Sequence, residues 1–170
     1  MKGHDIERIL GALSGAGVRY LVVGGVAVVL HGHLRVTRDV DLVVELVPAN
    51  VRTALKALSG LGFRPRAPVR MEDFADPEQR RGWVRDKNMR VFSLWNSKMP
   101  LTEVDLFVEE PLDFQAAWAR AVQARIGSFS VPVAGLEDLI ALKRVAGRPQ
   151  DVADIDALER LHAGPDDDGE

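Results

Sequence analysis

The chain of 170 residues has no cysteine. That excludes disulfides and thiolate metal sites and is compatible with a reducing cytoplasm. No apolar run approaches the roughly 20 residues that a membrane span requires, and no internal repeat is visible. The first ten residues, MKGHDIERIL, are amphipathic and charged, unlike a secretion signal, so a cytoplasmic location is expected. A surplus of basic residues is also lacking. The formal net charge is −3, so no global positive character advertises nucleic acid, although a local patch stays open. Histidines are few, and His31 and His33 are spaced wrongly for one helix face, so they are expected to line a turn rather than bind metal.

What is present suits a globular chain with a real core: 46% hydrophobic and 28% charged residues. One domain is expected over residues 1–163, with a helical C-terminal part at 134–163. An acidic tail at 164–170 is expected to be disordered.

The stretch from Tyr20 to Glu45, YLVVGGVAVVLHGHLRVTRDVDLVVE, organises the rest. Tyr20–Val23 is an apolar strand-like run, Gly24-Gly25 follows, and Val26–Leu30 is compatible with a helix. A polar connector carries Arg35, Thr37 and Arg38. A second strand begins Asp39-Val40-Asp41. Side chains alternate along a strand, so Asp39 and Asp41 share a face while Val40 and Leu42 point to the other. Two adjacent carboxylates repel each other, and burying them unpaired is costly. A shared Mg²⁺ relieves both effects; a solvated face paired with Arg35 or Arg38 is the alternative. Two glycines between a strand and a helix let the backbone approach a phosphate at a helix N-terminus, or make an ordinary tight turn.

The remaining pattern alternates. Helices are expected over Asp5–Ala16, Pro48–Ser59, Pro111–Val122, Gly135–Ala146 and Gln150–Leu161. Extended segments are expected at Phe63–Val69, Met89–Ser93, Leu101–Val108 and across Ala124–Val133. Arg70–Asn88 reads as irregular. Between Arg64 and Arg90 there are eight basic against five acidic residues, which suits either a solvated loop or short helix, or a basic rim meeting phosphates. Trp83 and Trp95 are candidates for stacking on a base or for the core. Asp105, between Val104 and Leu106, repeats the hydrophobic–acid–hydrophobic pattern of Asp41, with Glu103 on the same face.

These residues resemble a known signature. The glycine pair, the spacer and the hydrophobic-flanked Asp39-Val40-Asp41 are similar to the motif of the DNA polymerase beta-like nucleotidyltransferase superfamily. The longer form GGVAVVLHGHLRVTRDVDLVV resembles its small bacterial branches, among them lincosamide-type antibiotic nucleotidyltransferases and the nucleotidyltransferases of toxin–antitoxin and abortive-infection systems. The superfamily often has Gly-Ser where this chain has Gly24-Gly25, which keeps a backbone N–H contact but not a hydroxyl one. The segment LEDLIALKRVAGRPQDVADIDAL resembles the C-terminal part of the same proteins.

The resemblance implies an α/β (α+β) nucleotidyltransferase fold, a small mixed sheet flanked by helices with a C-terminal helical pair. It implies metal-dependent transfer of a nucleoside monophosphate from an NTP, ATP being one candidate, to an acceptor hydroxyl. By the same resemblance Asp39, Asp41 and Asp105 form the catalytic, Mg²⁺- or Mn²⁺-binding triad. Gly24, Gly25, Arg35, Thr37 and Lys143 lie against the triphosphate, and Arg148 pairs with Asp151. The acceptor is open between a small molecule, a tRNA end and a partner protein, and a partner protein or homodimer is possible. A nucleotide-binding antitoxin or a catalytically silent interaction protein is the alternative function.

Overall fold

The computed structural model describes residues 3–164; the expected acidic tail lies, apart from Gly164, outside the described residues. Its elements alternate in chain order: α1 (Gly3–Gly15), β1 (Tyr20–Val23), α2 (Gly24–Leu30), β2 (Asp39–Val44), α3 (Pro48–Gly60) and β3 (Arg64–Pro65). A 3-10 turn (Met71–Ala75), α4 (Pro77–Lys87), β4 (Val91–Trp95), β5 (Glu103–Phe107) and α5 (Phe114–Ala119) follow. The chain closes with β6 (Val122–Ile126), β7 (Phe129–Val133), α6 (Leu136–Ala146) and α7 (Pro149–His162).

The strands form one mixed sheet in the order β3-β4-β5-β2-β1-β7-β6. β2 runs antiparallel to β1 and parallel to β5, and β4 runs antiparallel to β5. The expected α/β architecture, a mixed sheet flanked by helices, is the observed one, and α6 and α7 pack against each other as the C-terminal pair.

Burial alternates across the central strands as the period-2 pattern dictates. Val40, Leu42, Val104, Leu106, Phe92 and Leu94 are buried on one face. Phe74 and Trp83 both stack on Phe92, with ring centroids 4.9 and 5.3 Å away. Tyr20, the register partner of Val44, points to this face and donates its hydroxyl to the Leu10 carbonyl of α1. The 3-10 turn, α4 and α1 therefore close the apolar side. On the opposite face Asp41, Ser93, Glu103 and Asp105 are half-buried, and Asp39 and Trp95 are exposed.

Of the two readings open for the least regular region, Arg70–Asn88, the structure shows the helical one: a 3-10 turn followed by α4. Asp76 accepts a hydrogen bond from the Glu78 backbone, Pro77 occupies the first turn, and Asn88 closes α4 in the left-handed region at φ 47°. The capping residues were in the sequence, but the helix has only Trp83 and Arg80 buried, so its apolar periodicity is faint. The Phe63–Val69 segment pairs over Arg64–Pro65 and ends with the Arg66 N–H on the Ser93 carbonyl, because Pro68 cannot donate to a ladder. The helix read over Pro111–Val122 is shorter, since Asp113 caps it at Ala116 and Val122 begins a strand.

Candidate functional site

Register places the acids. Asp41 lies beside Asp105, and Asp39 beside Glu103, across the parallel β2–β5 ladder. Neighbouring strands stand about 5 Å apart, so two rows of carboxylates face one another. β4 adds Ser93, the register partner of Asp105, whose hydroxyl donates to Asp105 Oδ1 at 2.5 Å. Ser93 was not singled out in the sequence; only the antiparallel pairing of β4 brings it there.

The carboxylates carry the mark of this crowding. Burial, then the charges of Asp105 and Asp39, push Asp41 up to about 7 from 3.8, despite Lys143 and Arg148. Asp105 is raised by burial and by Asp39 and Glu103, with the Ser93 hydrogen bond opposing. Asp39 is raised by burial and by Glu103.

Four nearby cations are engaged elsewhere, whereas Arg38 lends its charge to Asp39 without an ion pair. Arg66 bonds Glu103. Arg35 holds Asp154 through Nε (2.9 Å) and Nη2 (3.0 Å). Lys143 Nζ is 3.1 Å from Asp151 and 2.8 Å from Asp154, all three side chains being buried. Arg148 reaches Asp151 at 2.7 Å, the ion pair that the resemblance implied at this helix junction. Among the described residues no ion pair forms to Asp39, Asp41 or Asp105, and the alternative of Arg35 neutralising Asp39 or Asp41 gives way to its pairing with Asp154.

The glycine pair meets this face directly. Gly24 has φ +65°, and a Cβ there would stand 2.1 Å from Asp41 Oδ2. A Cβ on Gly25 would stand 2.5 Å from Thr37 Oγ1 and 2.8 Å from Arg35 Nη2. Backbone and acid approach each other at Gly24, and the connector folds over Gly25. The structure thus brings Asp39, Asp41 and Asp105 to one face, with Gly24 against Asp41 and with Arg35 and Thr37 against Gly25. Lys143 faces its two aspartate partners, and its field reaches Asp41. His31 lines the turn after α2, its Nε2 2.8 Å from the Ala134 carbonyl oxygen.

The all-oxygen donor set and the uncompensated charge on Asp41 and Asp105 fit a hard divalent cation. The pair rather than a closed cluster is what stands ready: among the described residues no three His, Cys, Asp or Glu side chains are drawn together closely enough to hold one ion. No described helix is long and apolar enough to cross a membrane.

Comparison with known proteins gives concordant results. The family described as "Nucleotidyltransferase of unknown function (DUF6036)" matches residues 5–162. No protein of curated function matches the chain. Among solved structures, lincosamide antibiotic adenylyltransferase LnuA with lincomycin bound is similar at TM-score 0.65 and 16% identity, over 95% of this chain and 98% of that one. ANT(2")-Ia in complex with adenylyl-2"-tobramycin is similar at TM-score 0.62 and 16% identity, over 95% and 90%. An antigenic nucleotidyltransferase-like protein from Paracoccidioides brasiliensis is similar at TM-score 0.59 and 18% identity, over 94% and 75%. At these identities the likeness is one of fold.

Proposed function

Because the chain belongs to this nucleotidyltransferase family, we propose that it transfers a nucleoside monophosphate from an NTP to an acceptor hydroxyl, releasing pyrophosphate. The observation that carries the reading is the register pair Asp41–Asp105, two half-buried carboxylates whose proton affinities are raised by burial and, at Asp41, by the other's charge. Such a pair is poorly stable alone and well suited to a site that receives positive charge. Asp41 and Asp105, with Asp39 on the same face, would hold Mg²⁺ or Mn²⁺, which when bound would neutralise charge at the transferring phosphoryl group and ease loss of the acceptor's proton.

The chain's own groups divide the remaining work. Asp105, steadied at Oδ1 by Ser93, is the candidate base for the acceptor hydroxyl, since its raised proton affinity suits proton acceptance. Gly24 and Gly25 let Asp41, Thr37 and Arg35 close against the backbone, so a triphosphate bound here would meet Thr37 and Arg35 where they cover Gly25. Lys143 and Arg148 lend positive charge to the acid face; direct contact of Lys143 with the triphosphate would exchange an aspartate oxygen for a phosphate oxygen. Catalysis here is chiefly positioning and charge stabilisation.

The test combines label transfer with thermal stability. Wild-type protein is incubated with each labelled NTP, Mg²⁺ and either cellular RNA or aminoglycoside and lincosamide acceptors, and the label is traced. Transfer from at least one NTP is expected, together with a rise in melting temperature that depends on Mg²⁺ and NTP, because ligands of the native state stabilise it by mass action. Asp39→Asn/Asp41→Asn is expected to lose both while remaining as stable as wild type, or more so, without metal at neutral pH. Absence of any such rise in wild type with all four NTPs would overturn the reading.

A further inference from the structure

The sheet has two ends, and they are built differently. At one end β3 pairs over two residues and contains Pro65; shortness and proline discourage an edge from pairing further. β6, at the other end, has neither. It runs five residues, Val122–Ile126, each in register with β7 and with no bulge, proline or glycine among them. Its one charged residue is Arg125.

The hairpin fixes which backbone groups are spare. Ile126 and Phe129 flank the turn Gly127-Ser128 and form a bonded pair, and bonded and non-bonded pairs alternate away from it. Val122, Ala124 and Ile126 therefore bond inward to β7. Pro132, which has no N–H, takes a non-bonded position opposite Gln123. Gln123 and Arg125 turn their N–H and C=O groups outward, and among the described residues these groups have no backbone partner. The side chains divide in the same way. Gln123 and Arg125 are exposed on one face; on the other, Ala124 and Ile126 pack against the core while Val122 is 47% exposed.

We propose that a second copy of this chain pairs antiparallel with β6 about a two-fold axis at Ala124, so that one sheet continues through both copies. In that register Gln123 of each copy lies opposite Arg125 of the other, and every outward N–H and C=O of both strands finds a partner. Val122 meets Ile126 across the junction, which covers the exposed valine. Arg125 faces a neutral amide. Moving the axis to Arg125 would set two guanidinium groups against each other; moving it to Gln123 would leave Arg125 opposite Ala121, outside the strand. Hydrogen bonding, apolar contact and charge thus favour the same register. β1 and β7 stand between β2 and this edge, so the pairing adds an interface without using the carboxylates, and it does not rest on the transfer reading.

The lack of cysteine makes the axis testable on the full chain. Residues facing each other at a non-bonded antiparallel position stand about 4.5 Å apart at Cα, a separation that a disulfide spans. Ala124→Cys is expected to give a covalent dimer on mild oxidation, whereas Ser128→Cys, more exposed at the turn, is expected to stay monomeric. Sedimentation over a concentration series is expected to show a reversible monomer–dimer equilibrium for wild type. Gln123→Arg places like charges in both symmetric pairs and is expected to weaken the dimer roughly tenfold, while Gln123→Glu strengthens it by a similar factor. Circular dichroism checks that these variants, altered at an exposed position, keep the fold. A wild type that stays monomeric throughout, even one that binds an extended peptide along this edge, would overturn the pairing. So would a dimer indifferent to both Gln123 substitutions, or cross-linking as ready in Ser128→Cys as in Ala124→Cys.

Discussion

At Gly24 one residue answers two demands. Its φ of +65° lies in the left-handed region, and the space its missing Cβ would fill belongs to the Asp41 carboxylate. The left-handed backbone alone costs an L-residue about 1–2 kcal/mol, and the contact adds to that. Gly24→Ala is therefore expected to lower stability by at least about 1 kcal/mol and to displace Asp41, removing label transfer. Gly60 is the control: it ends α3, and a methyl group added there would meet nothing within 4 Å, so Gly60→Ala is expected to be neutral or slightly stabilising. Urea unfolding of the two variants checks this, and equal midpoints would show that Gly24 is under no special constraint. The glycine pair was legible in the sequence as a turn of special geometry, whereas its collision partner depends on the register of β1 with β2.

At the scale of elements, Asp154 joins three parts of the chain. From α7 it receives Arg35 of the connector, Lys143 of α6 and Gln150 one turn earlier. Asp154 and Asp151 are held below the ordinary carboxylate range: burial acts to raise them, but hydrogen bonds and charge from Lys143, Arg148, Arg35 and Gln150 prevail. Removing one member of a buried ion cluster leaves charge uncompensated, typically at a cost of about 3–5 kcal/mol. Asp154→Ala is expected to destabilise by about that much and to loosen the connector over Gly25. Asp156→Ala on the same helix, which breaks the exposed pair with Arg160, is expected to cost under about 1 kcal/mol. Similar urea midpoints for the two variants would contradict the clasp. The sequence offered Arg148–Asp151 through resemblance, but nothing in it linked Arg35 to Asp154 across 119 positions.

For the molecule as a whole, the two groups of acids set opposite pH trends. Asp41 keeps its proton in the folded state up to about 7, whereas a chain carrying it at its ordinary 3.8 loses the proton earlier. Between those values the folded state binds more protons than the unfolded one, so stability falls as pH rises. Asp39 and Asp105 shift in the same direction. Asp151 and Asp154 are lowered, so their contribution is present above the ordinary carboxylate value and is lost as pH falls through their folded values. Metal-free protein is thus expected to be most stable near the ordinary carboxylate value, with declining stability toward pH 7, and saturating Mg²⁺ is expected to remove that decline. Urea midpoints measured in chelator and in Mg²⁺ across this range check it; a midpoint that rises from pH 5 to 7 in chelator would refute it.

What the sequence determined by itself were the features encoded within a few residues of one another. The period-2 alternation of Asp39-Val40-Asp41-Leu42 and of Val104-Asp105-Leu106 assigned each acid to the polar side of its strand. The glycines marked the turn, and apolar spacing marked the longer helices. Together these were enough for the α/β class and the family resemblance. Only the tertiary structure decided which acid stands beside which, that Ser93 supports Asp105, that Lys143 is enclosed by two aspartates, and that Trp95 is left open while Trp83 is buried. The physical reason is that these relations are set by strand order and register, which depend on how the whole apolar face packs beneath the sheet. No local spacing records that a residue of β4 will meet one of β5, or that the connector after α2 will be held by α7.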